Sequence, residues 1–152
     1  MGAVTRSQID DFVAQKALAI VGVSRNKSGF GYEAQKELAK RGYTVFLVHP
    51  EAASIDGKPC AKSLRDVADK VGGAVIVTPP KSTESLVREA AEAGIRRVWM
   101  QQGAESQEAI RLADELGIAA VHGNCILMFA EPVGSVHKVH RWLRGLFGYN
   151  PR

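Results

Sequence analysis

Short apolar runs rich in β-branched residues alternate along this chain with stretches whose apolar positions recur at helical spacing. The runs Ala17–Val23, Thr44–Val48, Ala74–Thr78, Arg97–Gln101 and Ile118–Val121 predict five strands. Helices are predicted over Ser7–Ala14, Tyr32–Lys40 and Gln107–Leu116, and from Ser82 to Gly94, with a short one over Ser63–Val71. Punctuation supports these limits. Gly42 and Gly117 stand where helix C-terminal glycines belong, Ser82 is a good N-cap, and Pro79-Pro80 halts a strand. Asp56-Gly57-Lys58-Pro59 carries turn residues. Strands alternating with helices predict an α/β fold: a doubly wound, Rossmann-like parallel sheet of about five strands. No repeat or low-complexity linker interrupts residues 5–129, read as one domain. Residues 130–152 are read as a helical extension, with Val136, Val139, Trp142 or Leu143, and Leu146 at helical spacing and Lys138, Arg141 and Arg144 on another side.

Composition changes this picture little. The 152 residues suffice for one domain, and 45% hydrophobic with 24% charged residues is ordinary globular usage. No apolar run approaches the roughly 20 residues of a membrane span, and Met1 to Asp11 lacks an apolar signal core. A cytoplasmic location is expected, where Cys60 and Cys125 read as thiols. A net charge of +4 suits an anionic ligand such as a nucleotide. By itself it would suit nucleic acid, or no partner, equally well. The basic residues and Trp142 do not make a nucleic-acid site, and none is expected.

Candidate chemistry collects at the strand ends, where parallel sheets bind ligands. After strand one comes Gly22-Val23-Ser24-Arg25-Asn26-Lys27-Ser28-Gly29-Phe30-Gly31. Gly22 allows close backbone approach to a diphosphate, Ser24 offers a hydroxyl, and Arg25 and Lys27 offer charge. The next helix would aim its N–H groups at the anion. The competing reading is a solvated loop with incidental basic residues. The dinucleotide fingerprint Gly-x-Gly-x-x-Gly is absent, because Ser24 and Lys27 occupy its second and third glycine positions. Strand two runs into Val48-His49-Pro50 without the acidic residue that usually holds an NAD ribose, and Glu51 comes late. A nicotinamide cofactor is disfavoured on those grounds. The remaining strand ends carry Thr78-Pro79-Pro80, Gln101-Gln102-Gly103 and His122-Gly123-Asn124-Cys125.

Several of these segments, in this order, resemble the small stand-alone CoA-binding proteins. Those are relatives of the CoA-binding domain of succinyl-CoA synthetase α subunits and ADP-forming acyl-CoA synthetases. The matching segments are Ala19–Asn26, Leu38 with Gly42–Val45, Ile55–Lys58 with Ser63-Leu64, Val98–Gly103 and Asn124–Met128. The resemblance implies a 3′-phospho-ADP group along the strand ends with pantetheine leading outward. Gly22, Val23, Ser24 and Arg25 would then hold the diphosphate, and Lys27 would join Arg25 in meeting phosphate. Pro50 would flank the adenosine. Thr78, Pro79 and Pro80 would cover adenine or ribose, and Gln102-Gly103 would lie near the pantetheine. His49 stands where the family has asparagine, and Thr78-Pro79-Pro80 is neutral where the family is often charged.

No catalytic constellation stands out. The phosphohistidine of the synthetases belongs to a further domain. His49 is either a phosphate contact or a loop residue, and His122 either a titrating group or a structural one. His137 and His140, spaced i,i+3, read as a solvated helix face rather than metal ligands. Cys125 is placed near the CoA thiol, either as an exchangeable thiol or as a small buried hydrophobe. The expectation is a module that binds coenzyme A or acyl-CoA as a carrier, sensor or regulator without catalysis; the extension would pack on the domain or on a second subunit, so that monomer and homodimer both stay open. The alternatives are the nucleotide-binding component of a multi-subunit acyl-CoA ligase and an NAD(P)-binding regulator.

Overall fold

A computed structural model describes residues 3–132. Helix α1 (Arg6–Val13) opens with a capping box, the Thr5 hydroxyl and the Gln8 side chain each taking the other residue's backbone N–H. Strand β1 (Ala17–Val21) follows, then α2 (Gly29–Lys40) and β2 (Thr44–Val48). A hairpin of β3 (Ser54–Ile55) and β4 (Lys58–Ala61) comes next, then two 3₁₀ turns at Leu64–Asp66 and Ala68–Lys70. The remainder is β5 (Gly73–Ile76), α3 (Pro80–Ala93), β6 (Arg97–Gln101), α4 (Gln107–Glu115), β7 (Ala119–Asn124) and a 3₁₀ turn, Ile126–Met128.

The sheet has the order β3-β4-β2-β1-β5-β6-β7 and is parallel except for the β3–β4 pair. The five expected strands are present, and the hairpin adds two short ones. Asp56 and Gly57 join β3 to β4 with φ of 52° and 77°. Positive φ at both central residues is the backbone of a type I′ turn. Several boundaries differ from the sequence expectation: β1 ends at Val21 rather than Val23, α2 starts at Gly29 rather than Tyr32, β5 ends at Ile76 rather than Thr78, and β7 runs on to Asn124. Helix α3 starts at Pro80 rather than Ser82, because proline lacks the N–H that the first helical position leaves unused. Residues 63–71 form two 3₁₀ turns instead of one helix.

Both faces of the sheet are covered, as the alternation along β1 requires. Leu18 and Ile20 join Ile9, Phe12, Leu38, Trp99 and Phe129 on the α1–α2 side. Ala19 and Val21 face Val87, Ala90, Leu112 and Ala113 on the α3–α4 side. Trp99 is fully buried, with the Phe12 ring edge-on at 5.4 Å between centroids. Its indole N–H donates to the Asn124 carbonyl at 3.0 Å, so the polar end of this large side chain is satisfied. The chain stays buried through Phe129, Ala130 and Glu131, and Arg41 on the last turn of α2 donates to the Leu127 and Ala130 carbonyls. Residues 133–152, which carry most of the expected extension with His137 and His140, lie outside the described residues. No helix among the described residues is long and apolar enough to cross a membrane.

Candidate functional site

Ladder register sets the strand ends level. Val21 is paired with Val48 on one side and Ile76 on the other, and Ile76 with Met100. The loops after β1, β2, β5 and β6 therefore leave the sheet side by side. The chain steps from β1 to β2 in one direction and crosses to β5 in the other. The crevice between the β1 and β5 ends is thus the topological switch point of the sheet.

Two glycines shape that crevice. Gly22 has φ of 114°, and a Cβ on it would stand 2.5 Å from the Val77 carbonyl oxygen and 3.2 Å from the Thr78 nitrogen. The first loop can therefore lie against the exit of β5 only without a side chain at this position. Gly31, in the first turn of α2, would place a Cβ 3.0 Å from the Gly22 carbonyl oxygen. It lets the helix start directly behind the loop, the packing role that the last glycine of the dinucleotide fingerprint plays. The α2 N-cap, Ser28, makes no side-chain capping bond, and its first turn carries no acidic residue. The positive end of the helix is open toward the loop.

The other predicted residues take distinct places. Val23 is 2% exposed and belongs to the core, so only its backbone is available to a ligand. The Ser24 hydroxyl accepts from the Asn26 N–H at 3.1 Å and shapes the loop. Arg25 is exposed and has no polar partner among the described residues. Lys27 instead reaches Asp56 of the hairpin at 3.3 Å. Thr78 is half-buried, and its hydroxyl lies 3.2 Å from that of Thr83. Pro50, Pro79, Pro80, Gln102 and Gly103 are exposed on the same edge. Cys125 is half-buried after β7, three strands from Gly22. At roughly 4.8 Å per strand, that is about 14 Å.

His49 turns inward to its own loop. Its Nδ1 accepts from the Glu51 N–H at 3.0 Å and the Ala52 N–H at 2.9 Å. This is the work of an asparagine side-chain oxygen in an Asx turn, and it accounts for a histidine where the resembling family has asparagine. The structure favours the loop reading of His49 over a phosphate contact.

Three residues that tie the site together were not singled out from sequence. Thr83, fully buried, donates to the Ala104 carbonyl at 2.7 Å and so joins the loops after β5 and β6. The buried Gln101 side-chain oxygen accepts from the Ile126 N–H at 3.0 Å and holds the Cys125 segment. The Glu105 carboxylate accepts from Gly103 and Gly123, joining the β6 and β7 loops. Each is a polar side chain, on α3, at the end of β6 and in the loop after β6, and each reaches a backbone group of another segment. His122, beside Glu105, has its pKa lowered by burial, with the Glu105 charge partly opposing. No cluster of metal-ligating side chains exists among the described residues.

The family model of the CoA binding domain matches residues 16–131, which contain every strand and every loop of this edge. This chain belongs to that family. The CoA-binding domain is similar to subunit alpha of the ADP-forming acetate–CoA ligase II of Pyrococcus furiosus, 26% identical over 129 residues. That match covers 78% of this chain and 28% of the ligase subunit. It is similar also to the ADP-forming acetate–CoA ligase I of Archaeoglobus fulgidus, 28% identical over 123 residues, covering 74% of this chain and 18% of the ligase. The chain thus spans less than a third of the length of these relatives. Among solved structures, a conserved hypothetical protein from Pyrococcus furiosus superposes with a TM-score of 0.70 at 36% identity. It covers 74% of this chain and 97% of that one. A hypothetical protein from Pyrococcus horikoshii OT3 gives 0.73 at 30% identity, with 81% and 87% covered. The protein is therefore a CoA-binding domain related to ADP-forming acyl-CoA synthetase subunits, on a Rossmann-like sheet.

Proposed function

We propose that this domain binds coenzyme A or an acyl-CoA across the carboxyl edge of the sheet, as a carrier, sensor or regulatory module without chemistry of its own. The observation that carries the reading is the closed Gly22–Val77 approach at the switch point, with Gly31 seating the open N-terminus of α2 behind it. Backbone N–H groups, the helix end and the exposed Arg25 together suit a diphosphate. In this arrangement the backbone of Gly22 and Val23, with Ser24 and Arg25, holds the diphosphate, and Lys27 stands at the ribose side. Pro50 flanks the adenosine, Thr78, Pro79 and Pro80 cover it, and pantetheine runs past Gln102 and Gly103 toward Cys125. The span of about 14 Å across three strand spacings suits an extended arm. The β2 end offers no carboxylate for the ribose hydroxyls of NAD, and His49 there is committed to its loop.

Calorimetry with CoA, NAD and NADP tests the reading. CoA should bind more tightly than either dinucleotide, and equal or tighter NAD binding would refute it. Native mass spectrometry of the purified protein should show a CoA-sized adduct. A second reading, the nucleotide-binding component of a multi-chain ligase, draws on one observation: the Pyrococcus furiosus relative is itself named as a subunit. Co-purification with a chain that brings ATP-dependent, CoA-consuming activity would favour that reading.

A further inference from the structure

Two non-glycine residues among the described residues have positive φ, Lys27 at 58° and Asp56 at 52°. They are also the two halves of one ion pair, 3.3 Å between Nζ and the carboxylate. One lies in the loop after β1, the other at the tip of the β3–β4 hairpin. The left-handed region is unfavourable for a lysine. Asp56 is held from its other side as well, its second carboxylate oxygen accepting from the Tyr32 hydroxyl at 2.8 Å. The Tyr32 bond and the Lys27 charge both pull the Asp56 pKa below the ordinary carboxylate range, so the group is fully ionised at neutral pH.

We infer that Asp56 is an internal competitor for the ligand's ribose phosphate, its carboxylate occupying Lys27 until that phosphate displaces it. The inference rests on the reading of this edge as a CoA site. In a doubly wound sheet the diphosphate meets the first loop and the adenosine ribose lies toward the end of the second strand. Lys27 leaves the first loop in that direction, because its partner sits on the hairpin that continues from β2. A cation there faces a phosphate carried on the ribose, not the diphosphate between the β1 and β5 ends. The pair is open to water, Lys27 57% and Asp56 40% exposed, so it is weak and exchangeable. Asp56 is thus a specificity-determining residue that lowers affinity for 3′-phosphorylated ligands and leaves unphosphorylated ones untouched.

Asp56→Asn tests this. Asparagine tolerates positive φ and still accepts from Tyr32, so the hairpin keeps its turn. The measurement is calorimetry of CoA and 3′-dephospho-CoA against both proteins at low ionic strength, with melting curves as the fold control. The variant should bind CoA about twofold to fivefold more tightly, the range of an exposed ion pair. Its affinity for dephospho-CoA should be unchanged. CoA affinity that is unchanged or weaker, or an equal gain for both ligands, overturns the role of Asp56 while the CoA site stands. A wild-type protein that binds neither ligand overturns the site itself, and the inference with it.

Discussion

Replacing Gly22 by alanine puts one methyl group where the structure has no room for it. The added Cβ would lie 2.5 Å from the Val77 oxygen and 2.7 Å from the Val77 carbonyl carbon, both backbone atoms. No side chain can swing aside, so the loop or the end of β5 must move. A second cost comes from φ of 114°, outside the regions open to an L-residue. The conformational term is of order 1–3 kcal/mol, and overpacking against fixed atoms adds about 1–3 kcal/mol. Together roughly 2–6 kcal/mol is a large share of the roughly 5–15 kcal/mol that holds a typical domain folded. At about 2–4 °C per kcal/mol for a chain of this size, the midpoint should fall by roughly 4–24 °C. Gly94→Ala is the control. Gly94 also has positive φ, 88°, but nothing stands within 4 Å of its Cβ position. It should lose only the conformational part, about 1–2 kcal/mol. Urea denaturation of the two variants separates the steric from the dihedral cost. A Gly22→Ala protein no less stable than Gly94→Ala would refute the close approach, and with it the shape of the crevice.

Arg25→Ala should weaken CoA binding by roughly 1.5–3 kcal/mol, the range for a charged hydrogen bond, and leave the melting temperature alone, since Arg25 is exposed and holds nothing in the fold. Wild-type affinity would move it to the solvated surface. Thr83→Val keeps the shape but strips the Ala104 carbonyl of its buried donor, which should cost about 1–3 kcal/mol in urea unfolding. A neutral result would mean that water replaces the bond. His122 is the pH-sensitive group: burial keeps its folded-state pKa below the ordinary 6.5. The unfolded chain therefore takes up its proton first, so this stability is complete above pH 6.5 and is lost as pH falls from there toward the folded-state pKa. His122→Gln should flatten the stability profile as pH falls below neutral; identical slopes would contradict the half-buried neutral imidazole.

The parallel core was legible in the chain because its strands are apolar on both faces and its helices on one. The runs at Ala17, Thr44, Arg97 and their neighbours need no tertiary information to be read. The hairpin was only half legible. Asp56-Gly57 is a strong turn signal, but β3 has two residues and β4 contains Pro59, too little pattern for a strand. Sequence puts the start of α3 at Ser82, the better cap by composition. Pro79-Pro80 supplies the turn geometry itself, and the Ser82 N–H goes to the Pro79 carbonyl. At the site, Gly22 could be read from its place after a strand. What Gly22 approaches could not, since Val77 lies far along the chain and meets it only through the β1–β5 pairing. The tie from Gln101 to Ile126 spans 25 residues for the same reason. Burial of a glutamine and a threonine, Gln101 and Thr83, is decided by distant backbone groups, which no local pattern encodes.

The β3–β4 hairpin also decides where the sheet stops. A strand at the margin of a sheet offers unpaired N–H and C=O groups to any other chain that can pair with them. On this side the margin is β3, two residues long, and the strand behind it carries a proline with no N–H to give. The ladder runs out before a foreign strand could gain more than a bond or two. The opposite margin, β7, is longer, but its pairing with β6 shifts register and Gly123 turns the backbone to positive φ. A second copy of this chain that paired through strand addition would have to do so along β7, away from the Lys27–Asp56 corner. The hairpin side would stay open to solvent in such a pair, and with it the route by which a nucleotide reaches the first loop.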